Sequence, residues 1–123
     1  MSTAAAWILV AHGSRLEAAN DEVRSLAARL SALGSQTVRA AFLEIAQPSI
    51  PEAIEQAART APSEILILPY FLTQGRHVQE DIPGIVAAQA ERFPQTPIRL
   101  LPYLGQSQDW AERIAQWMQS HLL

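Results

Sequence analysis

The sequence contains four short apolar runs, and the stretches between them have the period of a helix. The runs are AWILVA (6–11), TVRAAFL (37–43), EILILPYFL (64–72) and PIRLLPYL (97–104). The first and third runs are almost continuously apolar, as expected for parallel strands that are covered on both faces. Strands that alternate with helices favour a parallel sheet with right-handed crossovers. We therefore predict an α/β fold, a three-layer sandwich in which helices cover both faces of a four-stranded parallel sheet.

The stretches between the runs carry helix signals. Five apolar residues line one face of the first predicted helix: Leu16, Val23, Leu26, Leu30 and Leu33. Gly34 is expected to end that helix, and Ser49 to cap the second, with Pro51 and Glu52 in its first turn. The third helix is predicted from about residue 83 to 92. The last contains an apolar stripe that we interpret as part of the core: Trp110, Ile114, Trp117 and Met118. No linker interrupts the pattern, so residues 1–123 are predicted to form a single domain.

Composition excludes several classes of function. The net charge of -3 argues against a nucleic-acid binder, because such proteins neutralise phosphates with clustered cations. There is no cysteine, so thiolate chemistry and iron–sulfur ligation are excluded, and a metal would be held by imidazole or oxygen ligands. All the cationic side chains are arginine, whose planar guanidinium binds carboxylates in a bidentate manner. The apolar run at 4–11 is too short to span a bilayer and no basic segment precedes it, so a cytoplasmic protein without membrane contact is expected.

Three polar residues follow three of the predicted strands. His12 follows the first strand, Glu44 follows the second, and His77 lies in the segment after the third. The carboxyl ends of parallel strands meet at one edge of a sheet, where ligands bind in such folds. Imidazole and carboxylate groups bind borderline divalent metals, and both can accept protons. The sequence therefore predicts an open site at this edge, suited to metal binding and to proton transfer.

Each of these residues also has a purely structural interpretation. His12 could orient its own loop or cap the following helix, and Glu44 could cap the next helix or pair with an arginine. His77 is expected in a loop that contains glycine and could be exposed without a role. Their joint position favours the functional interpretation. Glu80 and Asp81 are interpreted as residues of a helix N-terminus that lie behind the site.

Residues beside the predicted ligands have supporting interpretations. Arg15 and Arg76 would place guanidinium groups next to the site. Gly13 and Gly75 are expected to allow tight backbone turns beneath it. His121 lies at the C-terminus, where helices fray, and no role is assigned to it.

Three segments resemble the sirohydrochlorin chelatases of the CbiX and SirB type: HGSR after the first strand, AFLE followed by QPSI, and FLTQGRHVQEDIP after the third strand. The resemblance extends from Trp7 to about Tyr103. It implies the chelatase variety of the α/β sandwich and a lyase that inserts a divalent metal into the tetrapyrrole sirohydrochlorin, on the way to cobalamin or sirohaem. The metal is cobalt or iron in most members and nickel in some, and it is a substrate, so no permanently bound cofactor is expected.

The resemblance also implies roles for particular residues. The implied catalytic residues and metal ligands are His12, Glu44 and His77. The implied substrate-binding residues are Ser14, Arg15, Gly75 and Arg76. Larger members contain two lobes of this kind, so the chain resembles the short form that pairs as a homodimer. Many members have a further histidine near an LG turn after the fourth strand, where this chain reads YLGQSQDW, so no ligand is expected from that loop.

Two other functions are compatible with the same residues. A non-catalytic carrier of a tetrapyrrole or a metal ion would use the same pocket without turnover. Phosphorylation of a histidine at HGSR is a weaker alternative, because the phosphohistidine pattern has an arginine before the histidine.

Overall fold

The computed structural model describes residues 4–123 and contains one parallel sheet. Its strands are β1 (Ala6–Ala11), β2 (Thr37–Phe42), β3 (Ile65–Pro69) and β4 (Ile98–Leu100). The strand order is β2-β1-β3-β4, and every neighbouring pair is parallel. The carboxyl ends of the central strands β1 and β3 therefore lie next to each other, at the edge where the sequence predicts a site.

Helices occupy the stretches between the strands. They are α1 (Glu17–Leu33), α2 (Ile50–Ala58), α3 (Ile82–Arg92) and α4 (Trp110–Gln119). A π-helical turn (His77–Asp81) leads into α3, and a short 3₁₀ helix (Leu104–Gln106) precedes α4. Ser49 caps α2 as predicted: its side chain accepts a hydrogen bond from the Glu52 amide, and the Glu52 carboxylate accepts one from the Ser49 amide.

Two apolar cores lie on opposite faces of the sheet. One is formed by α2 and α3, with residues such as Ile54, against alternate residues of β1 and β3, such as Ile8 and Ile67. The other is formed by α1 against β2 and the remaining residues of β1, and it includes Ala27 and Phe42. The predicted three-layer arrangement with helices on both faces is confirmed.

Helix α4 does not belong to either core. Its main contacts within residues 4–123 are with the short 3₁₀ helix that precedes it. Ile114, Trp117 and Met118 are exposed, so the interpretation of their stripe as part of the core is wrong for a single chain. Of the helices in the described part of the chain, none combines the length and the apolar character needed to cross a membrane.

Candidate active site

The ladder between β1 and β2 continues past the ends of the strands and brings His12 beside Glu44. The Leu43 amide donates to the Ala11 carbonyl at 2.9 Å, and the Glu44 amide donates to the His12 carbonyl at 3.1 Å. As a result, Nε2 of His12 lies 3.9 Å from Oε2 of Glu44. A carboxylate and an imidazole at this distance can exchange a proton through small side-chain movements or one water molecule.

Gly13 allows the two loops to approach each other. Its φ angle is +97°, in the left-handed region, and a Cβ atom at this position would lie 1.9 Å from the Glu44 carbonyl oxygen. No residue with a side chain fits there. The predicted turn at Gly13 is confirmed, and it is required for the placement of His12 beside Glu44.

Asn20 fixes the loop that carries His12. This side chain is only 2% exposed, accepts a hydrogen bond from the Ser14 amide at 2.9 Å and donates one to the Ser14 carbonyl at 2.8 Å. The Ser14 hydroxyl in turn accepts from the Leu16 amide. Asn20 is absent from the predicted site, and its signal in the sequence is a polar residue on the apolar face of the first helix.

His77 begins the π-helical turn and faces the same space as His12. The centroids of the two imidazole rings are 4.8 Å apart, and the ring planes are inclined by 40°. The expectation that His77 lies on a loop is wrong, because residues 77–81 are helical. π-helical turns are rare and occur frequently at functional sites.

Asp81 orients the His77 ring. Nδ1 of His77 and Oδ2 of Asp81 are 2.7 Å apart, one turn along the helical segment. An ionised carboxylate only accepts hydrogen bonds, so Nδ1 is the donor and Nε2 keeps its lone pair for a metal or a proton. Asp81 thus lies behind His77, as predicted, and its function there is to orient the imidazole ring. It belongs to the π-helical turn and not to the first turn of α3.

The geometry brings together the three residues at the centre of the predicted site, but it does not form a closed metal site. Residues 4–123 contain no group of three or more histidine, aspartate or glutamate side chains arranged to hold a metal ion. What the chain offers is a pair of imidazoles with Glu44 next to one of them. Ligation of a metal by all three residues remains a prediction.

Two of the residues predicted to bind substrate are arginines that lie close in sequence to His12 and His77. Arg15 and Arg76 are exposed, and the nearest approach of Arg76 to an acid is 3.8 Å, between its Nε atom and Glu80. Both guanidinium groups are therefore available to a ligand with carboxylates. Gly75 has no left-handed φ angle, and an added Cβ atom would meet no other atom within 4 Å. The expectation that Gly75 supports a tight turn is wrong.

The loop after β4 supports the segment that leads to His77. The Gly105 amide donates to the Phe71 carbonyl at 3.0 Å, and a Cβ atom on Gly105 would lie 1.9 Å from the Leu72 carbonyl oxygen. The LG turn therefore contacts the backbone of the segment that leads to His77. Its sequence had indicated only that it supplies no metal ligand.

Exposed apolar side chains also occur in the segments that follow the strands. Leu16, Ile45 and Leu72 are large, exposed residues, and each follows a different strand. Ile45 has a φ angle of 73°, which is unusual for a β-branched residue and is associated with functional sites. Exposed apolar residues on the segments that also carry the polar residues are suited to a largely apolar ligand with polar atoms in its middle.

Arg24 joins the start of α1 to the loop after Glu44. It donates to Glu17, to Asp21 and, at 2.9 Å, to the carbonyl oxygen of Gln47. The hydrogen bond from Arg24 lowers the pKa of Glu17, and the same bond raises the pKa of Arg24. These contacts connect the two loops that hold His12 and Glu44.

The fold and site define an open α/β protein with an imidazole pair at the carboxyl edge of a parallel sheet. The sequence matches the family model named CbiX over residues 6–120, and the chain belongs to the CbiX family.

Similar proteins of known name are chelatases. Over 87 residues the chain is 34% identical to the sirohydrochlorin cobaltochelatase of Methanopyrus kandleri. The matched region covers 70% of this chain and 61% of that protein. It is 32% identical over 87 residues to the chloroplastic sirohydrochlorin ferrochelatase of Arabidopsis thaliana, covering 70% of this chain and 39% of that protein. The chain thus spans less than two thirds of the length of either relative.

A solved structure shares the fold. The sirohydrochlorin chelatase SirB of Bacillus subtilis subspecies spizizenii, in complex with cobalt, superposes with a TM-score of 0.81 at 25% identity. The match covers 97% of this chain and 51% of SirB, so the chain corresponds to about half of that protein.

Proposed function

We propose that the protein is a chelatase that inserts a divalent metal ion, cobalt or iron, into sirohydrochlorin. The observation that carries this proposal is the meeting of His12 and His77, with ring centroids 4.8 Å apart, and of Glu44 at the carboxyl edge of the sheet. The names of the similar proteins supply the substrate and the two metals. Cobalamin or sirohaem biosynthesis in the cytoplasm is the setting that this activity predicts.

The reaction requires the exchange of two protons for one metal ion. The free macrocycle carries two pyrrole N–H groups, and both protons leave as the divalent metal enters. Nε2 of His77, left with its lone pair by the bond to Asp81, is suited to present the metal ion. His12, whose ring centroid is 4.8 Å from that of His77, is suited to share the ion. As the ion leaves for the macrocycle, His12 and Glu44, which lie 3.9 Å apart, are suited to accept the protons and pass them to solvent.

Substrate binding is proposed at the rim. Sirohydrochlorin is a large macrocycle with many carboxylates around its edge. The exposed Leu16, Ile45 and Leu72 would contact its apolar surface, and the guanidinium groups of Arg15 and Arg76 would bind carboxylates. The Ser14 backbone is engaged by Asn20, so Ser14 would act by shaping the loop.

The metal is a substrate that must be released into the macrocycle. A closed set of protein ligands would hold the ion against transfer, whereas two imidazoles and one carboxylate leave coordination positions open for pyrrole nitrogens. These open coordination positions favour insertion of the metal over its storage. The alternative is a carrier that binds the same metal ion or tetrapyrrole without turnover.

The chain is proposed to act as a homodimer. It corresponds to about half of SirB. Two copies would together supply the two lobes that the longer protein contains, as expected if gene duplication replaced a symmetric pair.

The test is an anaerobic insertion assay with purified protein, sirohydrochlorin and, in separate reactions, cobalt, iron, nickel and zinc ions. We expect a rate above the protein-free rate for cobalt or iron. A folded protein that leaves every rate at the protein-free value would reject the chelatase function. Tight binding of the metallated product without turnover would instead identify a carrier.

A further inference from the structure

The loop after β2 carries Glu44 and contains a strained residue. The Glu44 amide donates to the His12 carbonyl, and at the other end of the loop the Pro48 carbonyl accepts from the Phe42 amide at 2.9 Å. Between these contacts, Ile45 has a φ angle of 73° and is 56% exposed. A β-branched residue keeps this backbone conformation only where surrounding contacts enforce it. The position of Glu44 therefore depends on contacts that hold this loop from outside.

Arg24 supplies such a contact from helix α1. Its Nη2 atom donates to the Gln47 carbonyl at 2.9 Å, and its guanidinium carbon lies 5.1 Å from the centroid of the Phe42 ring. Phe42 is the last residue of β2 and is fully buried. Arg24 thus binds the loop at Gln47 and packs against the strand from which the loop leaves.

Two carboxylates on α1 fix the Arg24 side chain. Glu17 and Asp21 precede Arg24 by seven and three residues, on the same face of the helix, and both accept from its Nη1 atom. One nitrogen of the guanidinium group therefore binds the helix, while another binds the loop. Because this group is planar and rigid, the two sets of bonds together fix the distance between the loop and α1.

The same hydrogen bonds continue to the loop that carries His12. The other oxygen of the Glu17 carboxylate accepts from the side-chain amide of Asn20 at 3.3 Å. Asn20 in turn binds the backbone amide and carbonyl of Ser14. A continuous chain of hydrogen bonds therefore runs from the backbone near His12, through Arg24, to the loop after β2.

We propose that Arg24 is a positioning residue for the reaction. By joining the loop after β2 to α1, it sets the position of Glu44 relative to His12, whose Nε2 atom lies 3.9 Å from the Glu44 carboxylate. Arg24 acts through Glu44, since its own hydrogen bonds are made to α1 and to Gln47. The expected effect on the rate rests on the proposed chelatase function, whereas the position of the loop can be measured without substrate or metal.

The first experiment measures backbone hydrogen exchange by nuclear magnetic resonance in the absence of metal. The reporter is the Glu44 amide, because its hydrogen bond to the His12 carbonyl joins the two loops. In Arg24→Ala we expect this amide to exchange at least about tenfold faster, since the loop opens locally. The Ile65 amide, which donates to the Pro97 carbonyl at the amino end of β3, should keep its exchange rate.

Arg59→Ala is the matched control. Arg59 also binds a glutamate one helical turn earlier, Glu55 at 3.0 Å, and its loss should leave the exchange of the Glu44 amide unchanged. An unchanged Glu44 amide in Arg24→Ala would overturn the proposal. Equal acceleration of the Glu44 and Ile65 amides would also overturn it, because Arg24 would then stabilise the whole fold and not the loop.

The second experiment measures kcat for metal insertion in Arg24→Ala, in Glu44→Gln and in the chain that carries both changes. We expect Arg24→Ala alone to lower kcat about tenfold. In the Glu44→Gln background the same change should lower kcat by less than about twofold, because the carboxylate that Arg24 positions is already absent. Effects of the two changes that multiply in the double variant would contradict the proposal.

Arg24→Lys separates the position of the loop from the charge on α1. The lysine retains a positive charge beside Glu17 and Asp21, but its single nitrogen does not reproduce the two-ended geometry that also binds Gln47. We expect a melting temperature close to that of the unaltered chain and a kcat as low as that of Arg24→Ala. A kcat that lysine restores would show that charge alone is sufficient, and would overturn the positioning function.

Failure of this proposal is distinguishable from failure of the chelatase function. If the unaltered chain does not insert any metal, the chelatase function is rejected. The exchange rate of the Glu44 amide still determines whether Arg24 holds the loop, because that measurement requires neither sirohydrochlorin nor a metal ion.

Discussion

His12 and His77 face the same space but are held in different ways. His12 lies on a loop whose path is fixed by backbone contacts, in particular the approach of Gly13 to Glu44 and the grip of Asn20 on Ser14. His77 lies on a helical turn, and its ring is oriented by one side chain, that of Asp81.

This difference separates two ways of building a site. The position of His12 depends on close contact between two loops, so it should be sensitive to a change in backbone volume. The orientation of His77 depends on one charged hydrogen bond, so it should be sensitive to the chemistry of Asp81 while the fold is unaffected. The predictions below test this contrast, in order of expected effect.

Removal of either imidazole should have the largest effect on the reaction. For His12→Ala and for His77→Ala we expect the insertion rate to fall on the order of a thousandfold, since each would remove a proton acceptor or a metal ligand. Both side chains are nearly half exposed, so the melting temperature should change little. His121→Ala is the control and should retain full activity. If both site variants unfold while activity per folded molecule is unchanged, the two residues are structural.

Gly13→Ala should damage fold and activity together. The added Cβ atom would overlap the Glu44 carbonyl in a left-handed backbone, which we expect to cost roughly 2–4 kcal/mol of unfolding free energy. Gly75→Ala is the matched control, since its Cβ atom would meet nothing, and it should be neutral or more stable by up to about 1 kcal/mol. Urea unfolding of both variants measures the difference. Equal stabilities would show that the two loops are not in close contact.

Asp81→Asn should affect the reaction without affecting the fold. Loss of the charged partner removes the fixed orientation of the His77 ring, and we expect the insertion rate to fall about 10- to 100-fold. Glu80→Gln, a neutralised neighbour that does not bond to His77, is the control and should change the rate little. A normal insertion rate in Asp81→Asn would show that Asp81 does not contribute to the site.

The smallest expected effect concerns Glu17, which bonds to Arg24 and Asn20 near the His12 loop. The pKa of Glu17 is lowered in the folded chain by the bond from Arg24. A lowered pKa contributes stability above the ordinary pKa of the group, and this stability is lost as the pH falls through the folded value. Glu17→Gln should therefore melt slightly lower than the unaltered chain at neutral pH and equally in strong acid. If the difference in melting temperature between Glu17→Gln and the unaltered chain is the same in acid as at neutral pH, the ionisation of Glu17 is not its cause.

The sequence was sufficient to predict the sheet and the proximity of His12, Glu44 and His77 at its carboxyl edge. Apolar runs and helix periods predicted four parallel strands, and the first polar residue after a strand located His12 and Glu44. Those signals are local in the sequence. Because the strands pair in parallel, the residues that follow neighbouring strands lie next to each other in space. The capping box at Ser49 was predictable for the same reason.

Other features depend on contacts between distant parts of the chain. The π-helical turn at His77 has no period of its own, and the need for glycine at position 105 arises only because Leu72 is close in space. The period of the apolar stripe on α4 was visible in the sequence. Periodicity does not specify whether a given surface of the same chain covers an apolar face, and the assignment of this face to the core was wrong.

The central claim is that the imidazoles of His12 and His77 act on one ion. The chain has only three histidines, so nuclear magnetic resonance of ¹⁵N-labelled imidazoles can follow each of them during titration with cobalt ions. We predict that the signals of His12 and His77 broaden together over the same range of cobalt concentration, while His121 stays sharp. Broadening of only one of the pair, or of the two over separate ranges, would contradict the account.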